Sequence, residues 1–343
     1  QMSLLFTFVI LFVFLASEGR VHAQTKTSLP NAFYTGLSSD STGSYLTAVV
    51  EDGPIYYSAD GGVSWKISDA PNPHGYCAVA ASSTGQYVIA GSSSATLVSS
   101  DYGQHFTTAA DVHNWYHSVG VSGTGQYMVS VDNYGVLNAI NCLSYSNDYG
   151  TTFTSGLGPD TNVPTPAGVA IDSSGTYVVL SVYPQGLWVS NNVLNKSSWT
   201  LTYEIDIKIS VIAFGGASFY AGYVDFPLNI IKSTDYGYTW TQQGLLAADP
   251  IFSMAVDSTG GNVLVAAAGG LYLSQDSGIS YESLYSASAV FYCAMNGNAT
   301  VAVFTATPAN IGDELDVYVG NPRERTFIYV PLHSYLIFFL QWR

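Results

Sequence analysis

The amino-acid sequence predicts an all-β protein, a seven-bladed β-propeller built from four-stranded repeats. Three observations lead to this fold class. A short polar turn recurs at intervals of 41 to 47 residues, a second turn followed by an apolar strand keeps the same period, and no stretch carries helix-capping signals. Four short strands in about 42 residues is the spacing of one propeller blade.

The first recurrent element is a turn of the form Ser-x-Asp-x-Gly-x-Thr-Trp, seen most clearly in STDYGYTW at residues 233–240. Four further copies occupy residues 58–65, 99–106, 146–153 and 274–281; a sixth, at 190–199, has Asn192 for the aspartate and an insertion, and a worn seventh lies at 320–327. The aspartate can accept hydrogen bonds from nearby backbone N–H groups, the glycine supplies a positive φ, and the final aromatic ring packs into the blade. We therefore predict a structural role for this turn, with its carboxylate occupied. The predicted structural residues are Asp60, Gly62, Trp65, Asp101, Gly103, Phe106, Asp148, Gly150, Phe153, Asn192, Trp199, Asp235, Gly237, Trp240, Asp276, Gly278 and Tyr281.

The second recurrent element is a turn and strand such as SSTGQYVIAGS at residues 82–92, and it occurs seven times. A short strand precedes each copy, and small residues lie at the centre of that strand in most repeats: Gly36, Ala78, Ser118, Gly168, Ser253 and Ala294. Small residues fit the innermost strand because seven strands crowd around one axis. One repeat therefore reads strand, Ser-Thr-Gly turn, strand, loop, strand, Asp turn, strand. The outer strand of the last repeat can come from residues 25–29 or from residues 326–330, and the sequence leaves both open.

The Ser-x-Asp turn resembles the Asp-box, also called the BNR repeat, of sialidase-like β-propellers. The resemblance covers roughly residues 32–330, and that superfamily includes sialidases, xyloglucan-cleaving propellers, sortilin-type receptor domains and photosystem II assembly factors. Its sialidases hold the substrate carboxylate with three arginines from different blades. Beyond residue 23 the arginines are Arg323, Arg325 and Arg343, all near the end of the chain. The resemblance therefore implies the propeller without the sialidase arginine triad.

The termini predict a secreted protein of three segments. Residues 1–23 read as a signal peptide with Ala23 at the cleavage point, residues 24–330 as the propeller, and residues 331–343 as an apolar tail of uncertain status. The apolar run at residues 4–16 is shorter than the ~20 residues that span a bilayer, although an N-terminal membrane anchor is the alternative interpretation. Asn195 and Asn298 begin N-glycosylation sequons, which predicts a glycoprotein.

The charge of the chain and the absence of zinc- and phosphate-binding motifs argue against several classes of function. The chain has 9 basic and 24 acidic residues, a net charge of −15, and such a surface repels nucleic acid. The three cysteines are too few and too scattered for a disulfide framework, and no zinc spacing or phosphate-binding loop occurs. We therefore expect no cofactor and no metal, no membrane span in the mature chain, a monomer, and a glycan or an extracellular protein as the partner.

The leading hypothesis is a non-catalytic scaffold that binds its ligand on the face opposite the Asp turns. Aromatic and histidine side chains suited to stacking on a sugar are expected there. The candidates are Tyr76, His113, Trp115, Tyr116, Tyr134 and Tyr183. The alternative is a glycoside hydrolase, xyloglucanase- or sialidase-like, that uses two carboxylates on the same face, with Asp52, Asp132 and Asp225 as weak candidates.

Overall fold

A computed structural model describes residues 25–26, 29–30, 32–71, 75–110, 116–132, 143–159, 165–223, 230–244, 250–286, 288–306, 316–323 and 326–328. These residues form seven antiparallel β-sheets, which confirms the predicted all-β, seven-bladed propeller. The one helical element among them is the 3₁₀ turn Lys196–Ser198. In the described part of the chain, no helix has the length and apolar character needed to cross a membrane.

The strands follow one another in blade order. They are β1 (Thr25–Lys26), β2 (Tyr34–Ser39), β3 (Leu46–Val50), β4 (Ile55–Ser58), β5 (Lys66–Ile67), β6 (Tyr76–Ala81), β7 (Val88–Ser92), β8 (Thr96–Ser99), β9 (Thr107–Ala110), β10 (Tyr116–Val121), β11 (Met128–Asp132), β12 (Leu143–Ser146), β13 (Thr154–Leu157), β14 (Thr165–Ile171), β15 (Val178–Tyr183), β16 (Gly186–Ser190), β17 (Thr200–Glu204), β18 (Ile209–Gly215), β19 (Ser218–Tyr223), β20 (Ile230–Ser233), β21 (Thr241–Gln242), β22 (Ile251–Val256), β23 (Val263–Ala267), β24 (Gly270–Ser274), β25 (Glu282–Tyr285), β26 (Val290–Met295), β27 (Ala302–Ala306), β28 (Asp316–Asn321) and β29 (Thr326–Ile328). Blades 1 to 6 are the consecutive sheets β2–β5, β6–β9, β10–β13, β14–β17, β18–β21 and β22–β25, and blade 7 contains β26, β27 and β28. The first strand of each blade is innermost and lies beside the first strand of the next blade, with β26 returning to β2.

Both ends of the described chain close the ring. Strand β1 pairs with β28 through Thr25 and Val319, and β29 pairs with the same strand through Ile328 and Val319. The two candidate closing segments therefore share one strand edge. Each is only two or three residues long, so both are needed to cover an edge that would otherwise offer unpaired backbone groups.

Each innermost strand carries a β-bulge near its start. The extra residue is Thr35, Cys77, His117, Ala167, Ser210, Phe252 or Phe291. In blade 7 the structure therefore corrects the sequence alignment by two residues: Tyr292, and not Ala294, stands where the other blades have small residues such as Gly36. A two-residue slip keeps every side chain on the same face of the sheet, so the apolar pattern alone does not reveal it.

Small residues bring neighbouring blades together, as expected. A Cβ atom on Gly36 would lie 3.1 Å from methyl groups of both Val49 and Val79, the latter in blade 2. The Ser118 hydroxyl accepts a hydrogen bond from the Val169 N–H of blade 4 at 3.2 Å. The apolar core accordingly lies between blades: Val129 and Val131 of blade 3, for example, pack in one cluster with residues of blade 4.

Main-chain hydrogen bonds link the turns between the first and second strands of adjacent blades. These bonds form a girdle around the axis: Ser41 N to Ser83 O, Ser83 N to Gly123 O, Gly123 N to Ser173 O, Ser258 N to Gly297 O, and Gly297 N to Ser41 O. In blade 5 only residues 216–217 separate β18 from β19, and within the described residues the girdle is interrupted there. Pairs of tyrosine rings add to three blade interfaces: Tyr45 stacks on Tyr102, Tyr177 stacks on Tyr236, and Tyr87 contacts Tyr149 in a tilted arrangement.

Candidate functional site

The propeller has two faces of different construction. The turn face carries the turns between first and second strands and the Ser-x-Asp turns between third and fourth strands. The loop face carries the loops between second and third strands and the linkers from one blade to the next. The predicted ligand-binding and catalytic residues were all expected on the loop face.

The Ser-x-Asp turns close on themselves through side-chain hydrogen bonds. In blade 5 the Ser233 hydroxyl donates to Asp235 Oδ1 at 2.7 Å and accepts from the Gly237 N–H at 2.7 Å. Asp235 also accepts from the backbone N–H and the hydroxyl of Thr239, at 2.8 and 2.7 Å. Gly237 has φ +97°, and a Cβ atom there would lie 2.8 Å from a methyl group of Val179 in blade 4, so both backbone conformation and packing require glycine.

The same bonds recur in four other blades and fix the protonation of the carboxylates. Burial would raise the pKa of Asp235, but the hydrogen bonds from Thr239 and Ser233 outweigh it and lower the pKa. The side-chain and backbone bonds of Ser280 lower the pKa of Asp276 to about 2. The pKa values of the remaining three turn carboxylates are also lowered: Asp60, Asp101 and Asp148. These groups are ionised and engaged at neutral pH, which makes them poor general acids.

The turn of blade 4 lacks this bonding. Asn192 takes part through its main chain, which donates to the Ser190 hydroxyl at 3.1 Å and accepts from the Ser198 hydroxyl at 2.7 Å. The indole N–H of Trp199 is buried and has no hydrogen-bond partner among the described residues. In blade 5, by contrast, the Trp240 N–H donates to Gly237 O at 2.9 Å. Without the aspartate and the glycine, the turn of blade 4 therefore makes fewer side-chain hydrogen bonds than the turn of blade 5.

An aromatic group on the loop face departs from the repeat. At the bulge position, blades 6 and 7 have Phe252 and Phe291, whose half-buried rings stack with centroids 4.9 Å apart and planes 26° apart. Tyr292, also half-buried, follows the bulge of blade 7. We call Phe252, Phe291 and Tyr292 the axial aromatic cluster, since all three lie at the loop-face ends of innermost strands. Other blades have Thr35, Cys77 and Ala167 at the bulge and Gly36, Ala78, Ser118, Gly168, Val211 and Ser253 after it.

Groups of blades 1 and 2 are close enough to Tyr292 of this cluster to act on it electrostatically. Burial raises the pKa of the Tyr292 hydroxyl, and the nearby Cys77 and Glu51 raise it further. Burial, followed by the charge of Glu51, raises the pKa of the Cys77 thiol to about 12. The thiol is therefore protonated at neutral pH and is not a nucleophile. Glu51 itself is exposed, so the site combines aromatic rings with one accessible carboxylate.

The predicted loop-face residues differ in how far their side chains are exposed. Tyr76 is only 2% exposed and its hydroxyl donates to Pro71 O, so its ring is packed inside the protein and does not lie on an open surface. The position before the bulge points between blades, where Ile251 is also buried. Tyr183 is 42% exposed at the loop-face end of β15.

Of the three predicted carboxylates, only the Asp52 side chain lies within the described residues, so their pairing stays a prediction. Asp52 is exposed in the turn after β3. Tyr116 and Asp132 are register partners at the loop-face ends of β10 and β11, with side chains outside the described part of the structure. The remaining candidates lie wholly outside the described residues: His113, Trp115, Tyr134 and Asp225.

The glycosylation sequons lie on the turn face. Asn195 and Asn298 are both exposed, and each side-chain oxygen accepts from its own sequon, from Ser197 N at 3.1 Å and from the Thr300 hydroxyl at 2.6 Å.

The sequence analysis missed the axial aromatic cluster. The available signal was a large aromatic residue where the other repeats have a small one, and the two-residue misalignment of blade 7 concealed it.

Comparison with known proteins identifies the fold. A structure of U3-55K matches at 11% identity with a TM-score of 0.65, covering 88% of this chain and 99% of that one. RRP9 WD40 repeats match at 12% identity and 0.65, covering 87% and 99%. An ancestral GH74 enzyme matches at 15% identity and 0.63 over 87% of this chain and 48% of that one, so this chain spans about half its length. No protein-family profile matches the sequence. No curated protein matches it either. At these identities the likeness shows the propeller fold alone.

Proposed function

We propose that this chain is a secreted, non-catalytic β-propeller scaffold that binds a glycan on its loop face, at the axial aromatic cluster. The observation that carries the proposal is the departure of blades 6 and 7 from the repeat, which puts Phe252, Phe291 and Tyr292 where other blades have mostly small side chains. Residues that break a local structural rule concentrate at functional sites. The self-bonded Ser-x-Asp turns also support placing the chain among the Asp-box propellers.

The chemistry of the cluster suits a carbohydrate. Aromatic faces pack against the apolar C–H face of a sugar ring, while the sugar hydroxyls need polar partners nearby. The exposed carboxylate of Glu51 is such a partner. The net charge of −15 disfavours acidic glycans, so we expect a neutral one.

A glycoside hydrolase is the second candidate, favoured by the fold likeness to a GH74 enzyme. Such hydrolysis needs two carboxylates about 5–10 Å apart across the scissile bond. Of the predicted three, Asp52 is exposed, and the side chains of Asp132 and Asp225 lie outside the described residues. The Cys77 thiol cannot replace one of these carboxylates as the nucleophile, because its raised pKa keeps it protonated at neutral pH.

A glycan array probed with the secreted protein, followed by product analysis of each hit, tests the proposal. We expect binding of neutral glycans without release of sugar, and a loss of about three- to tenfold in affinity for Phe291→Ala, the size of one aromatic contact. Tyr238→Ala is the matched control, because Tyr238 is 42% exposed on the turn face. Thermal unfolding of both variants shows whether either loses its fold.

Three results would count against the proposal. Sugar release from a bound glycan would favour the hydrolase and direct mutagenesis to Asp52, Asp132 and Asp225. Equal losses for Phe291→Ala and Tyr238→Ala would remove the axial aromatic cluster from the site. No binding to any glycan would make an extracellular protein the better candidate ligand.

A further inference from the structure

A cavity lies on the turn face, away from the axial aromatic cluster. Its volume is about 330 Å³, and the turns between first and second strands of all seven blades line it, which places it on the propeller axis. Small-molecule sites occupy roughly 300–1,000 Å³, so this cavity is at the small end of that range.

The floor of the cavity is apolar. It is formed near the ends of the innermost strands, where Val121, Phe214 and Val256 are half-buried and line the space. A polar ligand placed here would meet apolar carbon on one side only, as a sugar ring or a cyclic polyol does through its C–H face.

The rim of the cavity offers hydroxyl groups. Ser41, Ser83 and Ser173 are exposed at the second position of their turns and line the cavity. Their main chains are engaged in the girdle: Ser83, for example, donates to Gly123 O and accepts from Ser41 N at 2.9 Å each. Their hydroxyls make no hydrogen bond with another described residue, and each can donate one and accept two.

Buried carboxylates behind the rim set the sign of the local charge. Asp40 and Asp257 line the cavity, and Asp172 occupies the same turn position in blade 4. All three are almost fully buried, and their oxygens are held by their own turns: Asp40, for instance, accepts from the Thr42 hydroxyl and from Tyr45 N. They therefore act on a ligand through charge and not by direct contact. Only Asp257 has an ion-pair partner among the described residues, Arg323 at 3.8 Å.

We propose that this axial cavity binds a small, neutral, polyhydroxylated ligand of monosaccharide size. The apolar floor contacts the C–H face, the rim serines exchange hydrogen bonds with the ligand hydroxyls, and the buried carboxylates exclude anionic analogues. The proposal is independent of the glycan site on the loop face, because the two share no residue and lie on opposite faces.

Saturation-transfer NMR and calorimetry on the full chain test it with named probes. The neutral probes are glucose and galactose, and the matched anions are glucuronate and galacturonate. We expect at least one neutral probe to bind and its uronate to bind more weakly. Ser83→Tyr, which fills the mouth, should abolish the signal, with Ser173→Tyr as a second blocking variant. Ser94→Tyr is the control, since Ser94 is an exposed serine of the same blade on the loop face.

A charge variant separates the role of the carboxylates from that of the hydroxyls. Asn296 occupies the position of Asp40 in blade 7, where its side-chain oxygen accepts from Thr300 N and Val301 N, so the turn tolerates asparagine. Asp40→Asn should reduce the preference for a neutral sugar over its uronate by about three- to tenfold, the size of one partly screened charge.

Four results would overturn the inference: no neutral probe binds, binding survives both blocking variants, a uronate binds the unmodified protein as well as its neutral analogue, or Asp40→Asn leaves that preference unchanged. The loop-face proposal fails separately. Phe291→Ala should leave cavity binding unchanged, and Ser83→Tyr should leave the glycan-array signal unchanged.

Discussion

The intact and degenerate Ser-x-Asp turns provide a matched test of what the turn contributes to stability. Replacing Asp235 by alanine removes three side-chain hydrogen bonds, two from Thr239 and one from Ser233. The Thr239 groups are exposed and regain water at little cost. Ser233 is only 1% exposed, so its hydroxyl proton loses its acceptor in a buried place, which costs about 1–3 kcal/mol.

Adding the weaker closure of the turn, we expect Asp235→Ala to destabilise the protein by about 2–3 kcal/mol. For the roughly 250 residues that the structure describes, this lowers the melting temperature by about 4–6 °C. Asn192→Ala, at the same position in blade 4, removes a side chain without these bonds and should change stability by less than about 0.5 kcal/mol. Urea unfolding followed by circular dichroism measures both. Similar effects for the two variants would refute the assignment of the turn's stability to its carboxylate.

Three further predictions concern the same turns. Trp240→Phe should destabilise the protein by about 1 kcal/mol more than Trp199→Phe in urea unfolding. The first substitution loses a hydrogen bond to a main-chain oxygen, whereas the second removes a buried N–H that has no partner in the described part of the chain; an equal cost would contradict this. Because the turn carboxylates have lower pKa values in the folded protein than in the unfolded chain, they stabilise the fold at pH values above the unfolded-state pKa near 4. This stabilisation is lost as pH falls through the folded-state pKa values, which is about 2 for Asp276. A melting temperature that stays constant between pH 5 and pH 2 would count against this prediction. The hydrogen bond to Asp101 at 2.5 Å, aided by the charge of Asp101, raises the pKa of the exposed His105. Their pairing therefore stabilises the fold below about pH 6.5, and this stabilisation is lost as pH rises through the pKa of His105 in the folded protein. NMR titration should show a lower pKa of His105 in Asp101→Asn.

Much of the architecture could be predicted because its signals are local. The Ser-x-Asp turn is held by bonds between residues two to four positions apart, such as Ser233 with Asp235 and Asp235 with Thr239. A pattern that lies within eight residues can be recognised in the sequence wherever it occurs, and the number and spacing of its copies predict the number of blades. The degenerate turn of blade 4 could be recognised for the same reason, since Asn192 occupies the aspartate position.

The candidate sites were less predictable, because the axis is assembled from residues about 40 positions apart. Whether the Tyr76 ring lay on the open loop face or packed against blade 1 depended on a bulge that the apolar pattern does not record. The register of blade 7, and with it the place of Tyr292, depended on pairing with β27 and β28.

The sequence by itself determined the repeat, the turn chemistry and the number of blades, since each is specified by contacts within a few residues. Only the tertiary structure decided that β1 and β29 share the edge of β28, that Phe252 stacks on Phe291, and that seven turns enclose a cavity on the axis. The physical reason is that these features depend on the distance between blades, and that distance is set by the packing of whole sheets against one another.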